Sequence, residues 1–343
     1  MLRWYRPDLV HEVTLRTIDG RWWFDAHNPS MRSEIIGALA MAQRETAVHV
    51  HAFTLMSNHY HGLFSFDYSE QFSAFLCHFH AGLARIANRY WHRHGRVWDG
   101  RAAVIPVASD EESQLQRLDY LLAQNVKAGA GAHPRDWIGA SSTAWLLDGT
   151  ALTGTHRDQT AITLASRNGR DPGDLAKYCQ DVEVEMTPLP CFAGRPDHEW
   201  RAQVLQIADE ISQRYGAAPD EPPSQVALCT AGSALVSTGR FAEIPSELPE
   251  TTECVRTSPE PRAGAIKPVH AARKLDREAL LAERKAFEQE YREAAWQLRN
   301  EAAVLAAGQP GRLVAFPLWS FPPRAPSCPR WPAPTHKSCN SAE

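Results

Sequence analysis

Apolar and polar positions alternate from His11 to Arg16 (HEVTLR), the period-two pattern of a strand with one buried face. Asp19-Gly20 then offers a turn, after which RWWF resumes as a hairpin arm or a strand and turn. Asn28-Pro29-Ser30 is a helix-start signal, and SEIIGALAMAQRE follows with Ile35, Ile36, Leu39 and Met41 at helical spacing. Val48 to Met56 is rich in β-formers, Ser57-Asn58 is turn chemistry, and His59 to Phe66 is again strand-like, so the two predict an antiparallel pair. Phe72 to Tyr90 has helical periodicity, Ala102 to Val107 predicts a short strand, and Glu111 to Lys127 predicts a helix with Leu115, Leu118, Leu121 and Leu122 on its apolar side, ended by Gly129 and Gly131.

The order β-α-β-β-α-β-α suits an α+β domain, ferredoxin-like or RRM-like, with an antiparallel sheet and helices on one side, over residues 1–149. After Gly149 the pattern changes. Residues 150–215 are mixed, with one amphipathic helix from Asp197 to Tyr215 carrying Trp200, Val204, Ile207 and Ile211 on one stripe. Residues 216–269 are rich in Pro, Ser, Thr and Glu and read as a linker or disordered segment. Within 270–308, Lys274 to Ala307 predicts an amphipathic helix of alternating charge, and 309–343 is a Pro-rich irregular tail. The expectation is a mostly helical, partly disordered C-terminal extension, to which no catalytic role is assigned.

Composition narrows the function classes. The 343 residues carry 36 Lys and Arg against 40 Asp and Glu, a formal charge of -4, so nucleic-acid binding has to come from local charge. Seven cysteines are scattered without a C-x-x-C pair, which suggests neither a zinc knuckle nor a disulfide framework. No signal-type or membrane-spanning stretch is evident, and a cytoplasmic, membrane-free protein is expected. Eleven of the 15 histidines precede residue 150, which directs the search for chemistry to the first half.

Two clusters stand out there. In LMSNHYHGLF (55–64), His59 and His61 are two residues apart on a strand and so share one face, where two imidazoles can form a metal platform. In DYLLAQNVKAGA (119–130), Tyr120 and Gln124 are neighbours at i, i+4 on a helix. A tyrosine hydroxyl can attack a phosphodiester, and an amide oxygen beside it can complete a metal site. Taken singly, each has a bland reading: satisfied histidines, and a half-buried helix tyrosine. A basic stretch with Arg85, Arg89, Arg93, Arg96 and Arg101 interleaves with Tyr90, Trp91 and Trp98, which suits backbone tracking and base stacking on single strands. Arg85, Arg89 and Arg93 would form a ridge at i, i+4 spacing, and for this helical part a solvated face with its aromatics buried is an equal alternative.

Together the two clusters resemble the REP-associated tyrosine transposases, single-tyrosine HUH transposases of the insertion-sequence-200-like group. LMSNHYHGLF is similar to that family's Met-Pro-Asn-His-x-His-hydrophobic signature. DYLLAQNVKAGAGAHPRDWIGASS is similar to its Tyr-Ile-x-x-Asn-Pro-Val-Lys-Ala-Gly stretch and the Ser-Ser segment that follows. The resemblance spans roughly residues 8–148. It implies His59, His61 and Gln124 as ligands of Mg²⁺ or Mn²⁺, Tyr120 as a nucleophile forming a 5′-phosphotyrosine, and Arg101 as a backbone contact. It also implies single-stranded DNA, with a hairpin or REP-like sequence, as substrate. Ser57 and Asn125 stand where the family has Pro, Gln124 where it has Asn, and Trp98-Asp99 where it has another aromatic or Gln. Monomer and homodimer stay open. So do two other functions: a DNA-binding descendant without catalysis, and an unrelated metallohydrolase using Asp67 or Glu70 to activate water.

Overall fold

The strands are short and two-faced, and their register decides what each face holds. In the computed structural model, which describes residues 4–167, 175–216, 269–306 and 313–317, β1 (Val10–Arg16) lies between β3 (His59–Ser65) and β4 (Ala103–Val107), and β3 also pairs with β2 (His49–Leu55). All three pairings are antiparallel, giving the order β2-β3-β1-β4 in an α+β architecture. Two helices join these strands: α1 (Pro29–Thr46) and α2 (Ser69–Tyr90). Asn28 starts α1 by accepting the Met31 N–H at 2.9 Å, with Pro29 in the first turn.

Register pairs Thr14 with His61 and Thr54 with His61, so these side chains share a face; Val13, Gly62 and Phe53 share the other. The second face packs on α2 through aromatic contacts of Phe64 with Phe75 (5.0 Å), Tyr60 with Phe79 (5.5 Å) and Phe53 with Phe79 (5.7 Å). The first face is covered by α3 (Glu111–Leu122), whose Leu118, Leu121 and Leu122 join Val10, Ala52, Leu63 and Val107 in one cluster. The expectation of helices on one side therefore needs correction. α1 and α2 lie on one face and α3 on the other, because β1 and β3 carry buried residues at both parities.

Two local expectations also change. RWWF does not resume as a strand: Ile18–Gly20 is a 3-10 turn with Asp19 at φ 55°, and Trp23 and Phe24 are buried from irregular chain. The predicted helix over 111–127 breaks at Ala123, with α4 (Gln124–Lys127) beyond it, where the Gln124 side chain donates to the Tyr120 carbonyl at 2.7 Å.

A boundary at residue 149 does not coincide with a break in packing. The larger of two compact units runs from Tyr5 to Glu283; the other comprises Met1–Trp4 and Arg284–Glu343. Within the larger, α5 (Thr143–Asp148) and α7 (Asp197–Tyr215) complete the α3 cluster with Leu146, Leu147, Trp200, Val204, Ala208 and Ile211. Between them lie a hairpin, β5 (Thr153–Arg157) with β6 (Cys179–Glu183), and α6 (Gln159–Arg167). The hairpin meets α1 backbone to backbone: a Cβ on Gly37 would stand 2.2 Å from the Thr155 carbonyl oxygen, and one on Gly154 2.4 Å from that of Ser33.

Later chain also covers both sheet edges. Thr187 N–H donates to the Val50 carbonyl (2.9 Å), and Ala108 N–H to that of His270 (2.8 Å). The final helix, α8 (Lys274–Ala306), matches the predicted one within a residue. Most of the segment read as a linker (217–268), and the tail apart from 313–317, lie outside the described residues. No helix among the described residues is long and apolar enough to cross a membrane.

Two buried histidines give the fold a pH dependence. His11 is pushed down to about 3 by burial, and its Nδ1 donates to the Leu9 carbonyl at 3.1 Å. His51, at the bulge of β2, is pushed down to about 4 by burial. Its Nδ1 donates to the Thr187 and Pro188 carbonyls (each 3.0 Å) and its Nε2 accepts from the Ser65 hydroxyl (2.8 Å). The unfolded chain takes up protons near the ordinary histidine value, about 6.5, which these native rings refuse, so stability is lost as pH falls from there towards their folded values. Urea midpoints measured from about pH 7.5 down to about pH 4.5 are expected to fall steadily. A flat profile would refute the neutral, buried state of both rings.

Candidate functional site

Strand β3 and helix α3 bring together the two clusters singled out in the sequence. The His59 and His61 rings lie 5.1 Å apart, centroid to centroid, and the Tyr120 ring stands edge-on to His61 at 5.3 Å. Gln124, just past the end of α3, stands beside the His59 ring. Tyr60 points to the opposite face, where its hydroxyl meets His80 Nε2 at 2.6 Å.

The hydrogen-bond partners decide which atoms remain available. Asn58 donates through its amide to the Gly20 carbonyl (3.0 Å), which leaves its Oδ1 to accept from His59 Nδ1 (2.7 Å). His61 Nδ1 is shared between Thr14 Oγ1 (3.0 Å) and Glu12 Oε1 (3.3 Å); the carboxylate can only accept, so Nδ1 carries the hydrogen. Each imidazole therefore keeps a lone pair at Nε2. Gln124 uses its Nε2 on the Tyr120 carbonyl, which leaves Oε1 as its acceptor. Burial, then the charges of His61 and Arg16, push His59 down to about 3, and the Gln124 contact works in the other direction. His59 is thus neutral at physiological pH, the state a ligand requires.

Two imidazole nitrogens and one amide oxygen fit a hard divalent ion that keeps open positions for water or phosphate oxygen. No three His, Cys, Asp or Glu gather to hold a metal among the described residues, so a site here depends on Gln124 as the third donor. Asp67 and Glu70, weighed as water-activating carboxylates, are exposed beyond the far end of β3, next to its last residue and not its first. The expectation that either serves the histidines fails on that placement.

Four residues at the site were not singled out from the sequence. Glu12 is buried (3% exposed) and links His61 to Arg117, whose Nη1 donates to Oε2 at 2.8 Å. Burial works against its charge, but the His61 hydrogen bond and Arg117 hold the carboxyl below its ordinary value. Arg117 and Lys127 each place a cation 5.2 Å from the centre of the Tyr120 ring. Exposed Arg16 pairs in register with His59. The signals were present: Glu12 and Thr14 alternate with buried Val13 and Leu15, and Arg117 stands three residues before Tyr120 on one helix face.

The basic stretch is not one surface. Arg85 and Arg89 belong to α2, on the far side of the sheet from His61 and Tyr120, and Arg89 is ion-paired with Glu34 of α1. The helix ends at Tyr90, so Arg93 does not extend the i, i+4 ridge; its guanidinium lies 3.3 Å from the centre of the Trp23 ring. Trp98 stacks on Phe24 (5.7 Å) and donates to the His80 carbonyl (3.0 Å). Arg96 and Arg101 are exposed. The loop between them is tied to the end of β1 beside His59: Ile18 N–H donates to the Val97 carbonyl (2.8 Å) and Asp99 N–H to that of Arg16 (3.0 Å).

No protein-family model and no curated protein matches the chain. Among solved structures the chain is similar to a REP-associated tyrosine transposase bound to a REP hairpin. The identity is 14% and the TM-score 0.31, over 41% of this chain and 81% of the other. At that level the likeness carries no weight for the site.

Trp98→Ala is expected to lower stability by roughly 3 kcal/mol, the low end for deleting a large packed aromatic, because stacking and a hydrogen bond are lost together. Urea unfolding measures it; an unchanged midpoint would return Trp98 to the surface as a free stacking platform.

Proposed function

We propose that the chain is a single-tyrosine HUH transposase: a metal-dependent enzyme that cuts and rejoins single-stranded DNA through Tyr120. One observation carries the reading. Residues 59, 61, 120 and 124, about 60 positions apart in the chain, meet on one sheet face, and hydrogen bonds among the described residues engage the other polar atoms of the two rings and the amide, leaving His59 Nε2, His61 Nε2 and Gln124 Oε1 as the donor set. The strand order β2-β3-β1-β4, with α1 and α2 as the two connections, is the connectivity of a ferredoxin-like sheet and agrees with this reading.

His59, His61 and Gln124 would hold Mg²⁺ or Mn²⁺, which when bound polarises the scissile phosphate and stabilises charge on the departing oxygen. The protein's own groups do the rest. Tyr120 Oη attacks phosphorus, a P–O(Tyr) bond forms, the P–O3′ bond breaks, and the tyrosyl proton is balanced by protonation of the released 3′-hydroxyl. Attack by another 3′-hydroxyl reverses the sequence and joins new ends, so the phosphodiester energy is conserved and no nucleotide cofactor is consumed. Arg117 and Lys127, beside the Tyr120 ring, set a positive field for the phosphate. Arg16, Arg96 and Arg101 extend it along the rim, a more direct route for the strand than α2 offers. The substrate class is a DNA hairpin with a single-stranded flank, of the REP-like kind used by the family the motifs resemble. The compartment in this reading is the cytoplasm.

Labelled hairpin oligonucleotides incubated with the protein and Mn²⁺, then run on a denaturing gel, are expected to show a covalent protein–DNA band. The band should require metal and disappear in Tyr120→Phe, a loss of at least about 10³-fold for removal of a nucleophile. A folded, DNA-binding protein that gives no band across a pool of hairpins would favour a binding protein without catalysis. Strand cleavage that survives Tyr120→Phe would point to a hydrolase.

A further inference from the structure

Glu12 is a buried carboxylate that the proposed chemistry leaves unused. Burying a carboxylate is costly, and an apolar residue in place of a buried ion pair is often neutral or stabilising, so stability alone does not account for it. Both oxygens are committed. Oε1 accepts from His61 Nδ1 at 3.3 Å, on the side of the ring away from the free Nε2. Oε2 accepts from Arg117 Nη1 at 2.8 Å. Each oxygen thus faces a protein partner, and the carboxylate lies behind the His61 ring rather than on its Nε2 side.

The two partners belong to different elements. His61 is in β3, one step along the sheet from the Leu63 position that pairs with Glu12. Arg117 is in α3, three residues before Tyr120 and 5.2 Å from the centre of its ring. Arg117 Nε is buried without a hydrogen-bond partner among the described residues, so Glu12 supplies the anchor on that side chain's inner end.

We infer that Glu12 is a positioning residue that braces the histidine strand against the nucleophile helix, holding His61 with Nε2 outward and Arg117 against the Tyr120 ring. This rests on the reading of His59, His61 and Gln124 as a metal site. The carboxylate fixes the His61 tautomer and the orientation of its ring, as carboxylates behind metal-binding histidines do. Through Arg117 it also limits how far α3 can shift relative to β3.

The test uses the full chain and Mn²⁺ alone as probe, with free Mn²⁺ followed by electron paramagnetic resonance. Glu12→Gln keeps the volume and removes the charge, and Mn²⁺ affinity is expected to drop roughly 10–100-fold. That variant also leaves Arg117 without its counter-charge and loses stability for that reason. Glu12→Gln combined with Arg117→Leu removes both charges, so its unfolding midpoint is expected to recover towards wild type while Mn²⁺ binding stays weak. Recovery of affinity along with stability would overturn the inference, as would wild-type affinity in Glu12→Gln. Those results leave the metal site standing. Failure of the wild-type chain itself to bind Mn²⁺ would instead bring down the site reading and this inference with it.

Discussion

The structure depends on one constraint: β3 alternates, and both of its faces are buried. His59, His61 and Leu63 point one way; Tyr60, Gly62 and Phe64 point the other. A slip of one residue in the pairing with β1 or β2 would exchange the two sets, sending Phe64 to the α3 side and the histidines into the aromatic layer on α2. The aromatic contacts of Phe64 and Tyr60 with Phe75 and Phe79 make such a slip expensive. The packing of one face thus fixes which side chains stand on the other. Gly62 takes part in this, since a Cβ there would stand 2.4 Å from the Phe64 ring.

Electrostatics follows from the same burial. His61 and Glu12 are almost fully enclosed, where a charge without a partner is costly, and the chain answers with a chain of partners: Thr14 and Glu12 for His61, Arg117 for Glu12. Cations then collect where the sheet opens, with Arg16 in register with His59 and with Arg117 and Lys127 beside Tyr120. A net charge of -4 is no obstacle to binding a polyanion when positive groups are concentrated at one rim.

Residues beyond 149 complete the fold. Trp200, Val204, Ala208 and Ile211 of α7 finish the cluster under α3, so the helix that carries Tyr120 is held between the sheet and the extension. Chain near 187 and near 270 occupies the two sheet edges, which would otherwise present unpaired backbone groups. Lys127 lies 5.2 Å from the centre of the Tyr120 ring and 4.7 Å from that of Tyr215, so the end of α7 reaches the surroundings of Tyr120.

Much of this was legible from local pattern. Period-two alternation, the Asn28 cap and the Ser57-Asn58 turn place β1, α1, β2 and β3, because strand parity and caps are properties of neighbouring residues. The same parity puts His59 and His61 on one face, and helical spacing puts Tyr120 beside Gln124. What local pattern could not decide is which separate elements meet. That Arg85 and Arg89 fall behind the sheet, that Trp98 stacks on Phe24, that α3 takes the second face and that α7 closes its core all follow from long-range packing, which no sequence period encodes. Glu12 shows the limit most clearly. By itself it is a polar position in a strand; only the sheet register and the docking of α3 set it between a histidine and an arginine 105 positions away from it in the chain, where burial turns an ordinary carboxylate into a brace.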